Sequence, residues 1–261
     1  MRKRNYRLHA LEGQIETIYI AEYPDRILIL DGGCRCDVRK IKKFIAGTLG
    51  RDMRDVALLV VSHVHPDHAG GAPILRRRYG IPIAAPKGID TWYSGIAGRF
   101  QHLVDFMFLW AVVIRKGQPF RRMWYPRRVR PDYPLGDGDP LPFFGDWRLI
   151  AAPGHTAHHS VAYNEKDGTL YAGDLILRTG GSWHLPFSVT APKAQKASLG
   201  KISRLKIGTM LLAHGGVHEK HPADLFRSLV PGLAKKPPRS WMLIRPLTML
   251  APDIRKKNRR E

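Results

Sequence analysis

The chain has 261 residues, 44% apolar and 25% charged, with only two cysteines. That composition suits a protein that buries its own core, and it excludes a disordered polymer or a disulfide scaffold. An excess of 43 Lys and Arg over 22 Asp and Glu gives a net charge of +21, a field that attracts nucleic acid, acidic lipid or small anionic substrates alike.

The N-terminal MRKRNYRLHALEG is basic but has no apolar signal-peptide core, so a cytoplasmic location is expected. IETIYIAEY (15–23) and RILILDGG (26–33) read as two strands joined at Pro24-Asp25. Cys34 and Cys36, one residue apart, are unsuited to pairing and are expected as reduced thiols. DVRKIKKFIAGTLG (37–50) has apolar residues at helical spacing and stops at Gly50. DVALLVVSHVH (55–65) is a continuous apolar strand of the kind covered on both faces. A helix over 68–80 and a short strand over 81–86 complete an alternating first third.

Residues 92–135 interrupt this rhythm. FQHLVDFMFLWAVVI is followed by RKGQPFRRMWYPRRVR, with seven Arg or Lys in sixteen residues, and no strand period survives. The segment reads as an insertion or lid, helical in its first part. Its longest nearly uncharged run, Phe106 to Ile114, is too short to span a bilayer. It can cover a cleft as an apolar wall, rest on an anionic bilayer, or pack against the core or in a homodimer.

Beyond the insertion, WRLIAAPGH (147–155), SVAYNEKDGTLYAGD (160–174) and TMLLAHGG (209–216) read as strands or hairpins that end in His or Asp. Helices are expected over 192–206 and 222–236. The organisation is a single domain over 1–236 with a basic extension over 237–261.

Chemistry concentrates at SHVHPDHAGG. His63, His65, Asp67 and His68 follow a strand end, where their side chains converge from one loop; neutral imidazoles and a carboxylate are transition-metal ligands. His155, Asp174 and His214 each lie beside a glycine at the end of a β-rich run. Five His and two Asp suffice for two divalent ions, with a carboxylate available as a bridge.

This series, HxHxDH, PGHT, GD and a late histidine after a strand, resembles the metallo-β-lactamase superfamily, over about residues 10–222 apart from the insertion. The resemblance implies an α/β fold, a four-layer αβ/βα sandwich of two mixed sheets flanked by helices. It implies one divalent ion on His63, His65 and His155 and another on Asp67, His68 and His214, with Asp174 bridging; Zn is the expected metal, with Fe, Mn or Co compatible. Asp31 in LDGG matches a position that supports the site from behind. A hydroxide between the two ions would attack the substrate, with Asp67 orienting it.

Within that superfamily the expected activity is hydrolysis of an ester, thioester or lactone in a small molecule, anionic or acyl-bearing. Dedicated β-lactamases lack an aspartate at the Asp174 position, and glyoxalase II-like enzymes carry a C-terminal helical domain for which too few residues follow His214. Quorum-quenching lactonases often place a tyrosine three residues after the bridge; Leu177 stands there instead, which counts against a standard homoserine lactonase but not against lactone or ester chemistry. A phosphodiesterase or nuclease, favoured by the charge, and a non-catalytic metal-binding protein are the alternatives. His184, in the loop after Asp174, is a weaker candidate for substrate contact; His158 and His159 are read as surface or supporting residues, and His218 and His221 as the start of a helix. Metal ligation by the cysteines is not expected.

Overall fold

Alternate residues of the early strands go to opposite sides of a sheet, and both sides are covered. Ile18, Ile20, Ile27 and Ile29 pack into one apolar cluster, whereas Tyr19, Ala21, Leu28 and Leu30 pack into another. The computed structural model describes residues 4–234 and resolves this pattern into two six-stranded sheets.

The first sheet holds β1 (Arg7–Glu12), β2 (Thr17–Glu22), β3 (Ile27–Leu30), β4 (Val56–Val60), β5 (Ile83–Pro86) and β6 (Tyr133–Leu135), in that spatial order. The first three strands are antiparallel and the pairs from β3 to β6 are parallel. The second sheet runs β14-β13-β10-β9-β8-β7, from β7 (Pro140–Leu141), β8 (Phe144–Ala151), β9 (Ser160–Asn164), β10 (Thr169–Tyr171), β13 (Thr209–Leu212) and β14 (Gly216–His218). Only β10 and β13 pair in parallel within it. A separate hairpin joins β11 (Leu177–Thr179) to β12 (Ser182–His184).

Tyr19, Leu28, Leu58 and Ala84 of the first sheet meet Trp147, Leu149, Tyr171 and Leu211 of the second, forming the layer between the sheets. The outer face of the first sheet is covered by α1 (Val38–Lys43), α3 (Ala72–Tyr79) and α4 (Gly95–Arg115). That of the second is covered by α5 (Pro192–Ile202) and α6 (Leu225–Leu229). The short α2 (Pro66–Ala69) carries part of the site. The molecule is therefore an αβ/βα sandwich, as the sequence predicts.

Several expectations change. The N-terminal residues supply an edge strand, β1, that the basic composition conceals. The 92–135 segment ends in β6, which pairs in parallel with β5, so it does hold a strand. Its helix, α4, extends well beyond the apolar run and is 21 residues long, sufficient by length and composition to cross a membrane. Its inner face nevertheless packs in the core through Phe106, Leu109 and Val113. His218 lies on β14, not at a helix start, because the chain turns back at Gly216 to pair with β13. The helix expected over 222–236 is α6 followed by a 3-10 turn over Val230–Ala234; its last two residues and the 237–261 extension lie outside the described residues.

Candidate metal centre

The seven His and Asp side chains singled out in the sequence all reach one place. His63 and His65 leave β4, Asp67 and His68 sit on α2, and His155, Asp174 and His214 follow β8, β10 and β13. Ligand atoms of His63, His65, His155 and Asp174 lie within 4.8 Å of one another, as do those of Asp67, His68 and His214. Asp174 connects the two groups. Its Oδ2 is 3.4 Å from His155 Nε2 and 3.9 Å from His63 Nε2, while its Oδ1 is 3.3 Å from His68 Nε2 and 3.4 Å from His214 Nε2.

Hydrogen bonds behind the rings decide which nitrogens face inward. Ser62 Oγ–H donates to Asp31 Oδ2 at 2.6 Å, so at the 3.0 Å contact with His63 Nδ1 it is the histidine that donates. His155 Nδ1–H donates to the Ser188 carbonyl at 2.7 Å. Nε2 of both rings therefore keeps its lone pair, and both point at His65 Nδ1, from 3.0 and 2.9 Å. On the other side, His68 Nδ1 lies 2.7 Å from Asp31 Oδ2 and 2.8 Å from Glu16 Oε2, so its proton resides there. His68 Nε2 and Asp174 Oδ1 are then buried with no hydrogen-bond partner. Converging lone pairs and orphaned buried acceptors are costly unless a cation fills the space between them. This donor set fits divalent ions with imidazole and carboxylate ligands.

The electrostatics agree. Burial holds His65 and His155 down to about 4, and His63 well below its ordinary value, so these rings are neutral at pH 7 and free to ligate. Burial opposes the charge on Asp67, but His68, which the carboxylates of Glu16, Asp174 and Asp67 hold well above its ordinary value against its own burial, and His214 outweigh it and hold the carboxyl at about 2. The same contest keeps Asp174 well below the usual range. Carboxylates that stay ionised in a buried pocket present negative charge to a cation at any physiological pH.

Asp31 stands where its sequence position suggests. It occupies a left-handed backbone conformation, φ 60°, at the end of β3, which is uncommon for a non-glycine residue. From there it accepts the Ser62 N–H at 2.6 Å and the Tyr171 hydroxyl at 2.5 Å, besides Ser62 Oγ–H and His68. Two glycines permit close approach. A Cβ at Gly71 would lie 2.2 Å from the Gly32 carbonyl oxygen, and one at Gly173 would lie 2.9 Å from His159 Nε2.

Three supporting residues were not singled out from sequence. Glu16, fully buried on the approach to β2, braces His68 and accepts the Gly33 N–H at 3.1 Å. Asp105 reaches in from α4: its Oδ2 is 3.7 Å from His65 Nε2, and it accepts hydrogen bonds from Tyr93 and Gln101, each at 2.8 Å. Burial pushes its carboxyl up to about 7. Tyr125 donates to the Val64 carbonyl, tying the basic segment after α4 to the metal loop. A lone Asp within an apolar helix is the one signal that points to Asp105 in advance.

The histidines outside the seven divide. His159 is completely buried; its Nε2 accepts the Asp174 N–H at 3.0 Å and its Nδ1 donates to the Ala152 carbonyl at 3.2 Å, so it supports the site rather than facing solvent. His184 stands exposed on β12 opposite Leu177, and no hydrogen bond or ion pair joins it to the cluster among the described residues. His221 is exposed before α6. Cys34 and Cys36 are free thiols; with Asp37 they form a separate group whose ligand atoms lie within 4.8 Å of each other.

Comparison with known proteins follows this geometry. The family model described as the Metallo-beta-lactamase superfamily matches residues 12–214. The chain is 24% identical over 181 residues to an atrochrysone carboxyl ACP thioesterase of Aspergillus fumigatus, covering 69% of this chain and 33% of that protein. It is 23% identical over 185 residues to the probable metallo-hydrolase YqjP of Bacillus subtilis, covering 62% of this chain and 55% of that one. The chain thus spans between a third and just over half the length of these two relatives. Among solved structures, an archaeal metallo-beta-lactamase superfamily protein from Sulfolobus tokodaii superposes with a TM-score of 0.62 at 19% identity, covering 95% of this chain and 98% of that one. That likeness is one of fold.

Proposed function

The chain belongs to the metallo-beta-lactamase superfamily, and on that footing we propose that it is a dinuclear metal-dependent hydrolase acting on an ester, thioester or lactone that bears an acyl group. The observation that carries this reading is Asp174, which turns one oxygen toward His63 and His155 and the other toward His68 and His214. One divalent ion would rest on His63 Nε2, His65 Nδ1 and His155 Nε2, and a second on Asp67, His68 Nε2 and His214 Nε2. Zn suits this mixed imidazole and carboxylate set, as do Fe and Mn.

When bound, such ions polarise a carbonyl or phosphoryl oxygen and acidify water near neutral pH. The chain's own residues do the rest. Asp67, ionised and 3.4 Å from His214 Nε2, is partly open to solvent, where it can accept a proton from an attacking water and orient it. Asp31 and Glu16 hold the His68 ring, and Ser62 and Ser188 hold the tautomers of His63 and His155. Asp105 confronts the outer nitrogen of His65, a place suited to orienting that ring.

The acyl preference rests on two aromatic rings close to the site. Phe187 precedes the Ser188 carbonyl that holds His155, and its ring meets Phe108 of α4 edge-on at 6.0 Å. The similarity to a thioesterase points the same way. His184, exposed on β12, remains a weaker proposal for substrate contact.

A panel of short-chain and long-chain esters, a thioester, a lactone, a phosphodiester and a β-lactam tests the reading. Turnover should concentrate on the acyl substrates, vanish on chelation and return with divalent metal. Preferential phosphodiester cleavage would transfer the protein to the nuclease reading, and no turnover on any of them with metal bound would favour a non-catalytic role.

A further inference from the structure

The outer face of α4 is apolar and unpartnered among the described residues. Ile96, Phe100, Leu103, Met107 and Ile114 are between 48 and 76% exposed. At 100° per residue their spacing places all five in one narrow sector. The opposite sector, with His102, Phe106, Leu109 and Val113, is buried. Folding therefore consumes one side of the helix and leaves a continuous apolar stripe on the other. Beyond the helix, exposed Phe120 stacks on Trp110 at 4.5 Å and half-exposed Trp124 stacks on Phe106 at 4.7 Å, which extends the surface with aromatic rings.

The rim of this surface is almost entirely cationic. Between residues 92 and 131 the sole acidic residue is Asp105, which turns inward to Tyr93 and Gln101. Arg99, Arg115, Lys116, Arg121, Arg122 and Arg128, in α4 and the segment after it, are all exposed. Arg35 donates to the Trp124 carbonyl at 2.8 Å, and burial together with the neighbouring charges of Arg122, Arg77 and Arg78 lowers its basicity, so the positive patch continues onto the body of the protein.

We propose that α4 and the segment after it form a docking surface for an anionic lipid bilayer. The helix lies in the plane of the interface, its stripe enters the acyl boundary, and the arginines meet the headgroup phosphates. A second copy of this chain is a poorer occupant, because the same cationic rim would face itself with no acidic partner. A nucleic acid could stack on Phe100, Phe120 and Trp124 but would leave Ile96, Leu103, Met107 and Ile114, most of the stripe, without a partner. The same helix carries Asp105 to 3.7 Å from His65, so docking sets the metal centre beside the membrane surface. The docking does not depend on which bond that centre breaks.

The test is sedimentation of the full-length, metal-loaded protein with vesicles of phosphatidylcholine, with and without phosphatidylglycerol. Binding should require phosphatidylglycerol and weaken with added salt. The double substitution Phe100→Asp/Met107→Asp should reduce it by roughly tenfold or more, and Arg121→Glu/Arg122→Glu likewise. Both variants should keep the wild-type circular dichroism melt and hydrolyse a water-soluble ester at the wild-type rate. Wild-type protein left in the supernatant, equal binding by the variants, or equal binding to uncharged vesicles would each overturn the proposal. So would a wild-type dimer in sedimentation equilibrium that the Phe100/Met107 substitutions dissolve.

Discussion

Asp31 Oδ2 lies 2.7 Å from His68 Nδ1, and with Glu16 this contact turns Nε2 of His68 toward Asp174 and Asp67. Asp31 keeps this position in a left-handed backbone conformation, held by Ser62 and Tyr171. Replacing it with alanine leaves Glu16 alone to hold the ring and removes one of the two carboxylates that raise its basicity as a ligand. Asp31→Ala should weaken metal binding on the His68 side by about 10–100-fold, read by competition with a chromophoric chelator. Unchanged affinity would make Asp31 a purely structural residue.

Asp105 offers a similar test on the His65 side. Asp105→Asn keeps the side chain's shape; its one amide oxygen can accept from Gln101 while its NH2 donates to the Tyr93 oxygen, and the charge facing His65 Nε2 is removed. Affinity for the ion on His63, His65 and His155 should fall by about tenfold while the melting temperature of the metal-free protein holds or rises, since a carboxylate raised to about 7 by burial is itself unfavourable. Equal affinity in the variant would leave Asp105 as a brace for the insertion alone.

His159 is predicted to act through the backbone. Its Nε2 is the acceptor for the Asp174 N–H, so His159→Leu strands a buried amide at the turn that aims the bridging carboxylate. A loss of about 1–3 kcal/mol in denaturant unfolding is expected, with reduced occupancy of both metal positions. A stable variant with full metal content would show that the turn holds without it.

The insertion carries its own pH dependence. His102 is enclosed by Tyr93, Phe106, Trp124 and Tyr125, and burial, aided by Arg127, holds its imidazole down to about 4. In the unfolded chain it takes up a proton as the pH falls through about 6.5, but in the folded chain only near 4. Stability from this group is thus complete above pH 6.5 and lost as the pH falls toward 4, by on the order of 3 kcal/mol. His63, His65 and His155 share that sign and His68 opposes it, so the comparison is between wild type and His102→Leu. Wild type should lose stability relative to the variant between pH 7 and pH 4.5 in denaturant titrations. A constant difference would contradict this placement of His102.

Much of this was legible in sequence for local reasons. Strands covered on both faces read as continuous apolar runs, as in Ile18, Tyr19, Ile20 and Ala21. His and Asp side chains at strand ends announce themselves one at a time, and all seven meet in the structure. What escaped is long-range or short. The strand Tyr133–Leu135 contains Pro134 and gains its identity only from pairing with β5. Arg7–Glu12 is an edge strand whose charged residues obscure alternation. Glu16 and Asp105 support the cluster from distant segments; nothing beside Glu16 marks its role, and for Asp105 the one signal is a lone carboxylate in an apolar helix.

The central claim is that Asp174 joins two cation sites within one cluster. Metal analysis of the purified protein, paired with ester hydrolysis during stepwise return of zinc to the stripped protein, tests it most directly. Wild type should bind two ions per chain and regain turnover only as both positions fill, and Asp174→Ala should retain at most one ion and lose turnover. A chain that hydrolyses its ester fully with one ion, or an Asp174→Ala variant that holds two and stays active, would contradict the account.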